Sequence, residues 1–225
     1  MLASGSEEAQ RQAFQALARL AMHNTENQFM IAKNLTEMIA GETDEHIEVR
    51  GIRALLSLAA DNVEAPNCIV KNNGIPPLVE ALTTGKSDEA RDGAAKLLHT
   101  LSLSNADHHA AIAVALTNLL GLGSEQAQTN VTSLLLKLSP AGEEHLVSRQ
   151  AVARTSPFKN LIKEIRTGET DHIKMLAVAV LARLAGDSEQ NMDAIAEAKG
   201  IKPLVALLDS TEQNTPEYAA SVLAK

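Results

Sequence analysis

Gly74-Ile-Pro-Pro-Leu-Val-Glu-Ala-Leu82 recurs as Gly200-Ile-Lys-Pro-Leu-Val-Ala-Leu-Leu208, changing at three of nine positions, and Pro157-Phe-Lys-Asn-Leu-Ile-Lys-Glu-Ile165 is a weaker copy. Each copy runs into a polar turn; Gly85 and Gly168 mark two of these, and Gly5, Gly41 and Gly123 mark similar turns elsewhere. Beyond each turn stands a longer run with Ala and Leu at helical spacing. These runs are Ala13–Leu20, Ile52–Leu58, Ala94–Leu101, Val131–Leu138, Ala177–Leu184 and Ala219–Lys225. A polar segment then leads to an isoleucine, as in Asn24-Thr-Glu-Asn before Ile31 and Ser188-Glu-Gln-Asn before Ile195. The matching leucines Leu20, Leu58, Leu101, Leu138 and Leu184 lie 38, 43, 37 and 46 residues apart. A period of that size predicts an array of helical repeats rather than a globular fold.

Composition agrees. Hydrophobic residues make up 45% of the 225, but aromatics only 2%. A core of Leu, Ala, Ile and Val suits stacked helices better than a β-sandwich, where aromatic and β-branched residues are enriched. The net charge of −8 argues against a dedicated nucleic-acid binder, whose affinity comes from Lys and Arg on phosphates. Cys68 is the only cysteine, which excludes an intrachain disulfide and a cysteine-rich zinc site. The first residues lack the basic and apolar regions of a secretory signal. No apolar run approaches the roughly 20 residues of a membrane-spanning helix. The chain is therefore expected to be intracellular, cytoplasmic or nuclear, with no membrane insertion.

The string Gly-Ile-Pro-Pro-Leu-Val, a glycine turn, an Ala-Ala helix and an Asn-rich loop before Ile resembles the armadillo repeat. The likeness runs along the whole chain and is weakest at 139–157, where Ser139-Pro-Ala-Gly142 interrupts it. The resemblance implies an all-α, right-handed α-solenoid of about five to six three-helix repeats. Their third helices would line the concave face of a superhelix, with the terminal repeats incomplete. One repeat cannot bury its own apolar faces, so a single continuous array over 1–225 is expected. Approximate repeats are 1–34, 35–74, 75–115, 116–157, 158–200 and 201–225. The first lacks its opening helix and the last its end, which suggests a piece of a longer protein.

No catalytic constellation is legible. Asp107-His108-His109 suggests a metal, but adjacent helical residues point about 100° apart, and the reading is a solvated loop before a helix. Glu143-Glu144-His145 reads the same way. Gly121-Leu-Gly123 has no third glycine at dinucleotide spacing and is a turn between helices. The expectation is a non-enzyme without cofactor or metal. Gly51 and Gly93 fall inside third helices, which implies close approach of a neighbour. Pro76, Pro77 and Pro203 start helices. Cys68, Phe14, Phe29 and Phe158 are read as packed residues.

In the nuclear-import-receptor type of armadillo protein a Trp and an Asn recur four residues apart on the third helices. The matching positions here are Gln15, Arg53, Lys96, Ser133, Ala179 and Ser221 for the first, and Arg19, Ser57, Thr100, Lys137, Arg183 and Lys225 for the second. None is Trp or Asn, so that activity is not expected. Each third helix instead offers one cation: Arg19, Arg53, Lys96, Lys137, Arg183 and Lys225. The acidic residues gather at turns and helix starts, such as Glu42, Asp44, Glu45, Asp88, Glu89, Glu169 and Asp171, where helix N-termini favour them. The expected function is a monomeric scaffold or adaptor that binds an extended peptide, acidic or phosphorylated, along a basic groove. The alternatives are a structural segment of a larger protein and a chaperone nucleotide-exchange cofactor.

Overall fold

The computed structural model describes residues 7–22, 24–41, 44–186 and 188–225, without the side chains of 7, 8, 10, 11, 14, 15 and 18. Phe14 as a core residue, Gln15 as a groove position, His23, Gly5 and Glu42 lie outside the described residues. Every regular element among them is helical. Contacts group the chain into two compact units, Met1–His108 and His109–Lys225.

The first unit holds α1 (Glu7–Ala21), α2 (Thr25–Gly41), α3 (Glu45–Asp61), α4 (Ala65–Lys71), α5 (Ile75–Thr84) and α6 (Asp88–Ser104). Helix α7 (Ala106–Thr117) begins in the first unit and continues in the second. The second unit adds α8 (Glu125–Leu138), α9 (Leu146–Ala153), α10 (Phe158–Thr167), α11 (Asp171–Ala185), α12 (Glu189–Glu197), α13 (Ile201–Ala206) and α14 (Thr215–Leu223). A short, a medium and a long helix recur as α4-α5-α6 and α9-α10-α11. The pattern departs from three helices in two places. Helix α2 is one unbroken helix, and residues 118–124 form turns where a second helix is expected.

The motif that decides the fold is a helix terminator. At the end of α4, Asn73 takes the left-handed conformation (φ 58°), its N–H reaches the Val70 carbonyl, and the Gly74 N–H reaches that of Ile69. At the end of α12, Lys199 (φ 60°) and Gly200 repeat both bonds, to Ala196 and Ile195. This is the Schellman arrangement. The glycine is required by space. A Cβ on Gly74 would stand 2.8 Å from the Ile69 carbonyl oxygen, and one on Gly200 the same distance from that of Ile195. In the weaker copy Ser156 takes the left-handed conformation (φ 54°), and Pro157, with no N–H, forgoes the longer bond.

The long helices start on a short polar cap. The side chains of Asp44, Ser87, Ser124 and Thr170 accept from backbone N–H groups in the first turns of α3, α6, α8 and α11. Their apolar faces supply the core: Ile52, Leu55 and Leu58; Leu97, Leu98 and Leu101; Val131, Leu134 and Leu135; Val178, Leu181 and Leu184. Each buried Leu contributes about 1.5–3 kcal/mol. Phe158 and Cys68 are buried as expected, and burial pushes the Cys68 thiol up. Phe29 is 39% exposed and is not a core residue; the buried positions of α2 are Gln28, Ala32, Leu35, Thr36 and Ile39.

Gly51 and Gly93 mark close helix approach. A Cβ on Gly51 would meet Ile39 Cγ1 at 2.7 Å, and one on Gly93 would meet Ile52 Cγ2 at 2.8 Å. Gly93→Ala sets a helix-propensity gain of about 1 kcal/mol against an overpacking cost of about 1–3 kcal/mol. Because Ile52 is fully buried, thermal denaturation of that variant is expected to show a net loss. Gly41→Ala, with nothing within 4 Å of its Cβ, is expected to gain slightly.

Candidate peptide-binding surface

In the first unit α3 packs against both α1 and α6; in the second α11 packs against both α8 and α14. The long helices therefore form a row in each unit. Arg19 lies in the last turn of α1, Arg53 and Lys96 in the middle of α3 and α6, Lys137 in the last turn of α8 and Arg183 in that of α11. Arg19, Lys96 and Lys137 are exposed and make no ion pair among the described residues. Arg183 is half-buried. The Arg53 guanidinium is engaged inside the unit, on the Glu89 carboxylate in the first turn of α6. Lys225 packs over the end of α11, where a Cβ on Gly186 would stand 3.1 Å from its Nζ. A cation there favours the helix C-terminus without any ligand.

The alternate positions carry little chemistry. The Thr100 hydroxyl turns back onto the Lys96 carbonyl and the Ser221 hydroxyl onto that of Tyr218. Ser57 and Ser133 are half-buried, and Ala179 is fully buried within α11.

The histidine pair is placed differently from the sequence reading. His108 and His109 are buried in the first turn of α7, not in a solvated loop. The His108 ring stands 2.7 Å from Ser104 Oγ, which itself donates to the Leu101 carbonyl at 2.6 Å; burial is the main cause holding the ring's pKa below the ordinary 6.5, against the raising effect of that carbonyl. The His109 ring meets the Ser148 carbonyl at 3.2 Å. Among the described residues no group of three or more His, Cys, Asp or Glu is arranged to hold a metal. No described helix is long and apolar enough to cross a membrane.

No protein-family model matches the chain. Among curated proteins it is similar to junction plakoglobin from Homo sapiens and from Sus scrofa, at 28% identity over 236 aligned positions in each case. The match takes in 92% of this chain, which spans 32% of the length of those relatives. Two designed armadillo repeat proteins superpose with TM-scores of 0.61 and 0.62 at 18% and 16% identity. Each match covers 99% of this chain and 95% of the other; the second protein was solved in complex with the peptide (KR)4. The fold is that of an armadillo-repeat solenoid.

Glu164 is the buried group that the repeat pattern did not single out. It sits on α10, only 1% exposed, and accepts from the Gly121 N–H at 3.0 Å and the Thr132 hydroxyl at 3.1 Å. Gly121 (φ 73°) and Gly123 (φ 82°) belong to the turns that replace a second armadillo helix. The carboxyl thus ties that substitute connection to the next repeat. Burial raises its pKa from 4.5 to about 7, against the lowering effects of its hydrogen bonds and Lys163. The native chain keeps this proton where the unfolded chain has lost it. Stability therefore falls as pH rises from 4.5 to about 7 and is flat above, a change on the order of 3 kcal/mol. Glu164→Gln, neutral throughout, is expected to abolish that slope and to be more stable above neutrality. Urea denaturation at about pH 5 and about pH 8 checks this; an unchanged slope contradicts it.

Proposed function

We propose that this armadillo array is a non-enzymatic protein-interaction scaffold that binds an extended, acidic or phosphorylated segment of a partner along its rows of third helices. The observation that carries the reading is the charge of those rows. The described third helices offer Arg19, Arg53, Lys96, Lys137 and Arg183, with Lys225 just past the end of α14, and no acidic residue at the paired positions, in a chain of net charge −8. Lys96 and Lys137 are the strongest rungs because both are exposed and without an ion pair among the described residues. Arg53 is the weakest, since a ligand carboxylate must displace Glu89. Charge-assisted bonds from Lys and Arg suit carboxylates and phosphates, and a pre-formed row lowers the ordering cost of binding. A basic peptide such as (KR)4 is expected to be repelled. The array is proposed to act as a monomer in an intracellular compartment.

One observation favours a second reading, a stacking segment within a longer assembly. Val79 and Leu82 of α5 are 8% and 1% exposed, whereas their counterparts Val205 and Leu208 near α13 are 50% and 41% exposed. That apolar face suits a further helix.

Peptide-display selection on the purified chain tests the first reading, beside a Lys96→Glu, Lys137→Glu, Arg183→Glu variant of equal helicity. The wild type is expected to enrich extended acidic peptides that weaken with salt, and the variant to lose them. The same peptides from both proteins contradict the reading.

A further inference from the structure

We propose that the cleft between α9, α10 and α12 is a separate recognition surface that takes a phosphorylated segment of a partner protein. The cleft has a volume of about 1030 Å³, and no residue of a third helix lines it. It is thus distinct from the rows discussed above, and the proposal does not depend on them.

Its charge is one-sided. Arg154, Lys159, Lys163, Arg166 and Lys199 line it, against the single carboxylate of Glu197. None of the five cations is held in an ion pair among the described residues, whereas Arg53, Arg91 and Lys174 are already paired with Glu89, Asp88 and Asp171. The clustering is built into α10. Lys159, Lys163 and Arg166 stand at i, i+4 and i+7 on one helical face, while Leu161, Ile162 and Ile165 are buried in the core. Arg154 arrives from the end of α9, and Lys199 from the left-handed residue that terminates α12. An adjoining cleft of about 820 Å³ shares Arg166 and Lys199 but mixes its charges, Lys174 and Lys202 against Asp171 and Asp209, so the excess of cations belongs to the first cleft.

Five like charges gathered around one carboxylate repel one another, and an anion seated among them relieves that repulsion. A phosphate is compact, carries nearly two charges and offers several acceptor oxygens, so Lys and the planar forks of Arg154 and Arg166 suit it. A nucleic acid or an anionic membrane needs a broad positive field. The net charge of −8 opposes that, while leaving a local concave site intact.

The test is fluorescence anisotropy with an acidic peptide bearing two phosphoserines and its unphosphorylated twin. The proteins are the wild type, Lys163→Gln with Arg166→Gln, Lys163→Glu with Arg166→Glu, and Lys137→Glu with Arg183→Glu from the third-helix row. The wild type is expected to prefer the phosphopeptide by about tenfold or more, from hydrogen bonds to charged groups. Both cleft variants are expected to lose that preference and the row variant to keep it. The neutral glutamine pair carries the test if the reversal disturbs folding. The proposal is overturned if the preference is absent, survives in the cleft variants, or vanishes in the row variant. It is also overturned if single-stranded oligonucleotide or phosphatidylserine vesicles displace the phosphopeptide at lower concentration than unlabelled phosphopeptide does.

Discussion

A helix that ends inside a packed array leaves carbonyls that must find donors other than water, and in this chain side chains supply them. The Leu20 carbonyl receives the Asn27 amide at 2.8 Å, and the Leu184 carbonyl receives the Asn191 amide at 2.7 Å, each from seven residues on. Both amide-bearing residues are also capped, Asn27 N–H by the Asn24 side chain and Asn191 N–H by that of Ser188. One short segment therefore closes a long helix and opens the next. At the Leu101 end the carbonyl accepts from the Ser104 hydroxyl at 2.6 Å, and the His108 ring, again seven residues on and again capped, by Asn105, stands against the same carbonyl. Leu58 uses Asn62, four residues on. After Leu138 the chain takes another course: the buried Arg149 donates to the carbonyls of Pro140 and Gly142, and the interrupted stretch is held by one guanidinium.

Much of this was legible in the sequence because it is local. The Gly-Ile-Pro-Pro-Leu-Val string marks a terminator whose glycine only a tight turn explains, and the Asn-rich loops carry their donors at fixed spacing. Gly51 and Gly93 betrayed helix contacts because glycine is costly in a helix without a steric reason. His108 was misread because a histidine in an asparagine's place resembles a metal motif or a solvated loop until the seven-residue offset from Leu101 is noticed. Glu164 left no mark, since its partners Gly121 and Thr132 lie 43 and 32 residues away. The cleft cations come from three helices, and no single stretch announces them.

The charges divide by role. Arg53 and Lys174 join carboxylates on neighbouring turns or helices and serve the scaffold. Exposed pairs of this kind stabilise by less than about 1 kcal/mol, so they can be exchanged for a ligand at small cost. Lys96, Lys137 and the α10 cluster have no such partner among the described residues, and that leaves them for binding.

The dependence on side-chain donors at helix ends is tested most directly by His108→Asn, with stability to urea compared between about pH 8 and about pH 5.5. His108 has a pKa below 6.5 in the folded chain, so the native state binds fewer protons than the unfolded one in that window. The stability the wild type draws from it is present above 6.5 and is lost as pH falls. If an amide serves the Leu101 carbonyl as it serves Leu20 and Leu184, the variant matches the wild type within about 1 kcal/mol at the higher pH. It then gains on the wild type as pH falls. A difference that is constant with pH, or a loss greater than about 2 kcal/mol at the higher pH, would contradict the account.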